Sequence, residues 1–158
     1  MNIFWFVNQF EVLFMKKSEK AAELFSQGFN CAQSVFAVFA EKYGISQELA
    51  LKIGCGFGGG MRNAEICGAV SGAVMVISLR YGHSESSDND SKSLCYAKTR
   101  EFTEQFKAKN NSIICRDLLG IDIFKGDGMK IAGEKGLFQT ACVDMIKSAV
   151  ELLEELGY

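Results

Sequence analysis

Gly54-Cys55-Gly56-Phe57-Gly58-Gly59-Gly60-Met61 runs through Arg62-Asn63-Ala64-Glu65-Ile66 into Cys67-Gly68-Ala69-Val70-Ser71-Gly72-Ala73. Five of the seven residues from Gly54 to Gly60 are glycine. Each glycine loses more backbone freedom on ordering than any other residue, so this run is expected to be a loop, with positive φ or a close approach to a neighbour. The uncharged segment after it, Ile66 to Leu79, carries Cys67 near its start and reads as a buried central helix over Glu65–Tyr81. Gly68 and Gly72, four apart with Ala69 and Ala73 beside them, put small side chains on one stripe that lets another backbone come close. The run is too short and its flanks too polar to span a bilayer.

Outward from this stretch, glycine and polar residues mark further helices. Proline is absent from the chain, so glycine does most of the punctuation. Ser18–Gln27 is helical by its apolar spacing, and Gly28-Phe29-Asn30 ends it. Asn30 is an N-cap for Cys31–Tyr43, with Cys31 as first helical residue. Ser46 caps a short helix with Leu49, Leu51 and Ile53 on its buried side. After the polar loop 83–93, which holds the lone His83, Asp90 or Ser91 caps a helix to about Lys109, with Leu94, Cys95, Phe102 and Phe106 inward. Ser112 caps Ile113–Leu119, residues 121–136 form a loop or broken helix, and Leu137–Leu156 is the last long helix. No alternating run of β-branched residues argues for a sheet. The expected fold is all-α: a compact bundle of about five to seven helices around the Gly/Ala-rich central one.

With 158 residues, 48% hydrophobic and 23% charged, the chain has the makeup of one globular domain. Met1–Phe14 reads differently, with four of the thirteen phenylalanines and the single tryptophan. Met15-Lys16-Lys17 looks like a fresh start. Residues 1–14 are therefore expected to be an extension from a mis-called start, or else a short amphipathic segment, and residues 15–158 a single four-cysteine domain. The net charge of −2 offers no basic field for nucleic acid. No basic n-region or cleavage site marks 1–14 for export. A cytoplasmic, reducing setting is expected, where lasting disulfides are uncommon and metal or catalytic roles for cysteine gain weight.

The six cysteines stand at 31, 55, 67, 95, 115 and 142, with no C-x-x-C pair among them. A buried free cysteine is often just a small hydrophobe. Cys31, Cys67, Cys115 and Cys142, however, each fall at or soon after a predicted helix start, where unpaired N–H groups and the helix dipole favour a thiolate. Four such starts can converge on one centre. Cys55, in the glycine loop, and Cys95, on a helix face, look like packing or auxiliary thiols. The glycine loop lacks the closing Gly-Lys-Ser/Thr of a phosphate loop and the βαβ setting of a dinucleotide fingerprint. Ser71 sits on no strand–elbow, so a hydrolase reading has no support.

Gly28-Phe29-Asn30-Cys31-Ala32-Gln33, the Gly-Phe-Gly-Gly-Gly-Met loop at 56–61, Cys67-Gly68-Ala69-Val70-Ser71-Gly72, Cys115-Arg116-Asp117-Leu118-Leu119-Gly120 and the late Cys142 occur in one order. In this the chain resembles the redox-active proteins named for their C…CGAxxG…C…C pattern, over roughly Ser18 to Leu156. The resemblance implies a small α-helical, cytoplasmic, redox-active protein whose four signature cysteines map onto Cys31, Cys67, Cys115 and Cys142. A similar cysteine-bearing region occurs in split-Soret cytochromes, where it is associated with an iron–sulfur cluster. Their haem part has no counterpart here, since no C-x-x-C-H is present.

The leading expectation is an iron–sulfur cluster, 2Fe–2S or 4Fe–4S, held by those four cysteines for electron transfer or redox sensing. Gly56, Gly58, Gly59, Gly60 and Gly68 would bring bare backbone and N–H groups close to it. The alternatives are thiol–disulfide chemistry without metal, a structural zinc site on the same four thiols, and a helical scaffold with inert cysteines. An unidentified redox partner protein and a homodimer fit the sequence; nucleic acid and stable membrane insertion do not.

Overall fold

The computed structural model describes residues 15–158, so the expectation for 1–14 lies outside the described residues. Eight α-helices follow among them: α1 Lys17–Ser26, α2 Cys31–Ala40, α3 Gln47–Gly54, α4 Gly68–Tyr81, α5 Asn89–Asn110, α6 Cys115–Leu119, α7 Gly128–Glu134 and α8 Ala141–Glu155. The fold is all-α. Helix α4 is enclosed by α2, α5 and α8, while α1 lies across α2 and α8. Its composition, apolar all round, suits that enclosure. Phe39, Ile77, Phe102, Phe106, Ile146 and Leu153 fill the main core, all fully buried.

Small residues set how close α2, α3 and α4 lie. A Cβ on Gly72 would stand 2.7 Å from the Ala32 carbonyl oxygen, and one on Gly54 would stand 3.0 Å from the Gln33 Cα. The Gly/Ala stripe of α4 thus meets the backbone of α2, as its spacing predicts. The same closeness corrects the reading of α3. Ala50 and Gly54 are buried there, while Leu49 and Ile53 are 48% and 44% exposed, because only small residues fit at the contact. Leu94 is likewise outward at 46% exposure. The buried stripe of α5 is Cys95, Phe102 and Phe106, and Leu94 lies one helical step off it.

Helix ends differ from expectation where the cysteines sit. Helix α4 begins at Gly68 rather than Glu65, because Glu65–Cys67 is non-helical and carries an isolated antiparallel bridge, Ile66 to Ile114. Across it the Cys67 N–H donates to the Ile113 carbonyl at 2.8 Å and the Cys115 N–H to the Glu65 carbonyl at 2.6 Å. Asp88, not Asp90 or Ser91, caps α5, accepting from the Ser91 N–H at 2.9 Å. Ser112 accepts from the Ile114 N–H at 3.0 Å, and α6 begins at Cys115. Residues 121–136 contain the short α7, and α8 starts at Ala141 after the turns that follow Gly136. Among the described residues no helix is long and apolar enough to cross a membrane.

Candidate functional site: a pocket lined by four cysteines

Cys31 is the first residue of α2, and its position is fixed from both sides. Asn30 caps the helix: its Oδ1 accepts from the Gln33 N–H at 3.0 Å, and Gln33 Oε1 accepts from the Asn30 N–H at 2.9 Å. Both side chains also reach α3 and its C-terminal end, Asn30 Nδ2 donating to the Cys55 carbonyl at 2.9 Å and Gln33 Nε2 to the Leu51 carbonyl at 2.8 Å. A capping box therefore doubles as a clamp on the neighbouring helix. On the other side, a Cβ on Gly68 would stand 3.0 Å from the Ala32 nitrogen and 3.1 Å from the Cys31 Cβ. The absent side chain at 68 is what lets Cys31 and Cys67 share one wall.

Cys67 occupies the N-cap of α4, and its carbonyl oxygen accepts from the Val70 N–H at 2.9 Å and the Ser71 N–H at 3.0 Å. Cys115 opens α6, paired to the Cys67 segment by the two-residue bridge. Cys142 is the second residue of α8. The four thiols, from four helix starts, line one cavity of about 180 Å³. Its remaining walls are mainly apolar, with Phe25, Leu119, Ile123, Phe138 and Met145 among them; Asn30 and Arg62 are its other polar side chains.

Burial dominates the electrostatics. It pushes the Cys115 thiol up to about 12, helped by the neighbouring Cys67 and Cys142 sulfurs. It pushes Cys67 up to about 11, against the opposing pull of the Ala69 N–H. Cys31 and Cys142 line the same cavity and shift each other's proton affinity. Sharing its S–H with Cys142 raises Cys31 well above the ordinary thiol range, with burial and the other three sulfurs adding to this. The same contact lowers Cys142. An apolar pocket of this kind disfavours the thiolates of Cys31, Cys67 and Cys115 unless a cation enters, because adjacent thiolates in low dielectric repel one another.

The glycine loop forms one rim. Gly59 and Gly60 have φ of +61° and +63°, and the left-handed conformation continues through Met61 (+53°), Arg62 (+61°) and Ala64 (+54°). Left-handed backbone costs a non-glycine residue roughly 1–2 kcal/mol, and such strain concentrates at functional sites. The turn sets the Arg62 guanidinium 4.6 Å from the centre of the Phe124 ring. Phe124 in turn lies over Gly59, where a Cβ would meet its ring at 3.0 Å.

Of the glycines expected near a bound group, Gly59 and Gly68 line the cavity. Gly58 packs behind Asn30, whose side chain a Cβ there would meet at 2.5 Å. Gly60 is buried inside the turn, and Gly56 is exposed with nothing within 4 Å of a Cβ. Cys55 is exposed outside the cavity, and Cys95 is buried in the main core. His83 is exposed in its loop. Arg62, Phe124 and Met129, which build the rim, escape sequence reading, because nothing in an ordinary arginine or methionine signals a left-handed turn. Among the described residues no three His, Cys, Asp or Glu side chains are placed to hold a single metal ion.

No curated protein and no solved structure gives a significant match to the chain. The family model described as "Putative redox-active protein (C_GCAxxG_C_C)" matches residues 29–156, which include all four pocket cysteines. The family name writes its central motif Gly-Cys-Ala-x-x-Gly; here that stretch runs Cys67-Gly68-Ala69-Val70-Ser71-Gly72. The match spans most of the chain, and the protein belongs to this redox-active family.

Proposed function

We propose that the pocket holds an iron–sulfur cluster through Cys31, Cys67, Cys115 and Cys142, for electron transfer or redox sensing. The observation that carries this is the convergence of exactly those four thiols on one apolar cavity of about 180 Å³. The donor set suits the group: all-thiolate ligation selects iron–sulfur or zinc over magnesium or calcium. Zinc alone needs four sulfurs about 3.8 Å apart around one point, from Zn–S bonds of about 2.3 Å in a tetrahedron. When bound, such a cluster supplies one-electron exchange. The protein's own part is to present the thiols from rigid helix starts and exclude water with Phe25, Ile123 and Phe138.

Replacing any of Cys31, Cys67, Cys115 or Cys142 by alanine is expected to abolish iron and acid-labile sulfide binding after reconstitution. Cys55→Ala and Cys95→Ala are expected to leave both intact. Loss on Cys55→Ala with retention on Cys142→Ala would contradict the assignment. The placement of Cys31 and Cys142 in one cavity, each shifting the other's proton affinity, favours a second reading, in which that pair cycles between dithiol and disulfide. A low-molecular-mass disulfide would then be the oxidant, taking up two electrons and two protons to leave as two thiols. Thiol titration of metal-free protein before and after reductant tests it: two fewer thiols before reduction support the pair, and an unchanged count excludes it.

A further inference from the structure

Four arginines occur in the chain, and three are engaged. Arg100 pairs with Glu104, Arg116 with Glu65, and Arg80 donates to the Gly157 carbonyl. Among the described residues Arg62 makes no ion pair and donates no hydrogen bond, yet it lines the four-cysteine cavity and is exposed to solvent. Its one defined contact is with the face of Phe124, at 4.6 Å. A guanidinium held over an aromatic face, with no acceptor for its N–H groups among the described residues, can receive a carboxylate through two parallel hydrogen bonds. The nearby Asp122 is not that partner, since its carboxylate faces Lys125 at 3.6 Å and also accepts from the Phe124 N–H.

We propose that Arg62 is a recognition residue for a carboxylate-bearing small molecule that binds at the mouth of the four-cysteine pocket. The strained turn has a rationale on this view. Arg62 and its neighbours Met61 and Gly60 hold left-handed φ, and that turn carries the cation to the cavity rim. The apolar walls, including the half-exposed Met129 at the same cavity, would receive the body of the molecule, and Arg62 its charged end. The inference rests on the pocket being where the protein reacts, and not on which group the pocket holds.

The test compares two probes on the reduced, metal-free full chain carrying Cys55→Ser, which removes the exposed thiol outside the cavity. One probe is an aromatic disulfide bearing two carboxylates, the other an uncharged aromatic disulfide of similar size. In each, a pocket thiolate attacks one probe sulfur, the probe S–S bond breaks, and one arylthiolate leaves. The ratio of the two rates is the readout. Arg62→Gln is expected to lower the anionic-to-neutral ratio on the order of tenfold, the lower end of what a focused charge does to an on-rate. Arg62→Lys should keep most of the preference, and added salt should weaken it. A variant that merely loosens the pocket speeds both probes and leaves the ratio unchanged. An unchanged ratio in Arg62→Gln overturns the proposal. Iron loading of the same preparations is scored separately. A ratio effect with no cluster supports Arg62 and contradicts the iron–sulfur reading; a cluster with no ratio effect does the reverse.

Discussion

Gly68 and Gly72 set how near α4 comes to α2, and through that where Cys31 and Cys67 stand. A methyl at Gly72 would press on the Ala32 carbonyl oxygen at 2.7 Å and on its Cα at 3.2 Å, backbone atoms that cannot swing aside. Gly72→Ala is therefore expected to destabilise the protein by roughly 1–3 kcal/mol, the range for overpacking a close contact. Gly133→Ala is the matched control. It also lies within a helix, but nothing stands within 4 Å of its Cβ, so it should be neutral or stabilising by up to about 1 kcal/mol. Urea denaturation of both variants checks the pair, and equal midpoints would contradict the close-approach account. This part of the site was legible in advance. Small residues four apart in an uncharged segment announce a close helix contact, and Asn30 before Cys31 announces a cap.

At the scale of elements, the glycine loop taught what sequence cannot carry. Its glycines predict positive φ, and Gly59 and Gly60 show it. The same conformation in Met61, Arg62 and Ala64 leaves no trace in residue type, so the rim of the pocket was invisible. Met61 is 54% exposed, so its side chain gives little packing in return. Met61→Gly should relieve roughly 1–2 kcal/mol of backbone strain and give back about 0.5–1 as added freedom of the unfolded chain, a net gain of up to about 1.5 kcal/mol. A fall in the urea midpoint would show that the turn is not strained at Met61. The non-helical Glu65–Cys67 segment reads as helix in the sequence for a related reason. A two-residue bridge is too short to print a strand pattern, and its partner at Ile114 lies far along the chain. The misplaced Leu49, Ile53 and Leu94 reflect a rule that large apolar residues face inward. It fails where a contact admits only small ones or where the buried stripe runs beside the residue.

For the molecule as a whole, gathering four thiols in an apolar pocket ties stability to pH. Cys67 and Cys115 have folded-state values of about 11 and about 12 against an ordinary 9.0. The folded protein thus holds those two protons longer than the unfolded chain does. Their contribution is complete below pH 9 and is lost as the pH rises from 9 toward 12, with a slope approaching ~1.4 kcal/mol per pH unit for each group. Cys31, raised, and Cys142, lowered, work in opposite directions. Urea unfolding of the reduced, metal-free protein from pH 8 to pH 11 should show this alkaline loss, and Cys67→Ser with Cys115→Ser should flatten it. A profile equally steep without the two thiols would place the cause elsewhere. A bound cation reverses the situation, because it stabilises the thiolates that the empty pocket disfavours.

That reversal points to the most direct test of the central claim. Anaerobic purification followed by a visible spectrum, with iron, acid-labile sulfide and zinc measured on the same sample, reports what the four cysteines hold. The account predicts a coloured protein with stoichiometric iron and sulfide, whose colour is lost on Cys31→Ala and kept on Cys55→Ala. A colourless, iron-free protein after cluster reconstitution would contradict it, and stoichiometric zinc in that sample would assign the pocket to a structural ion.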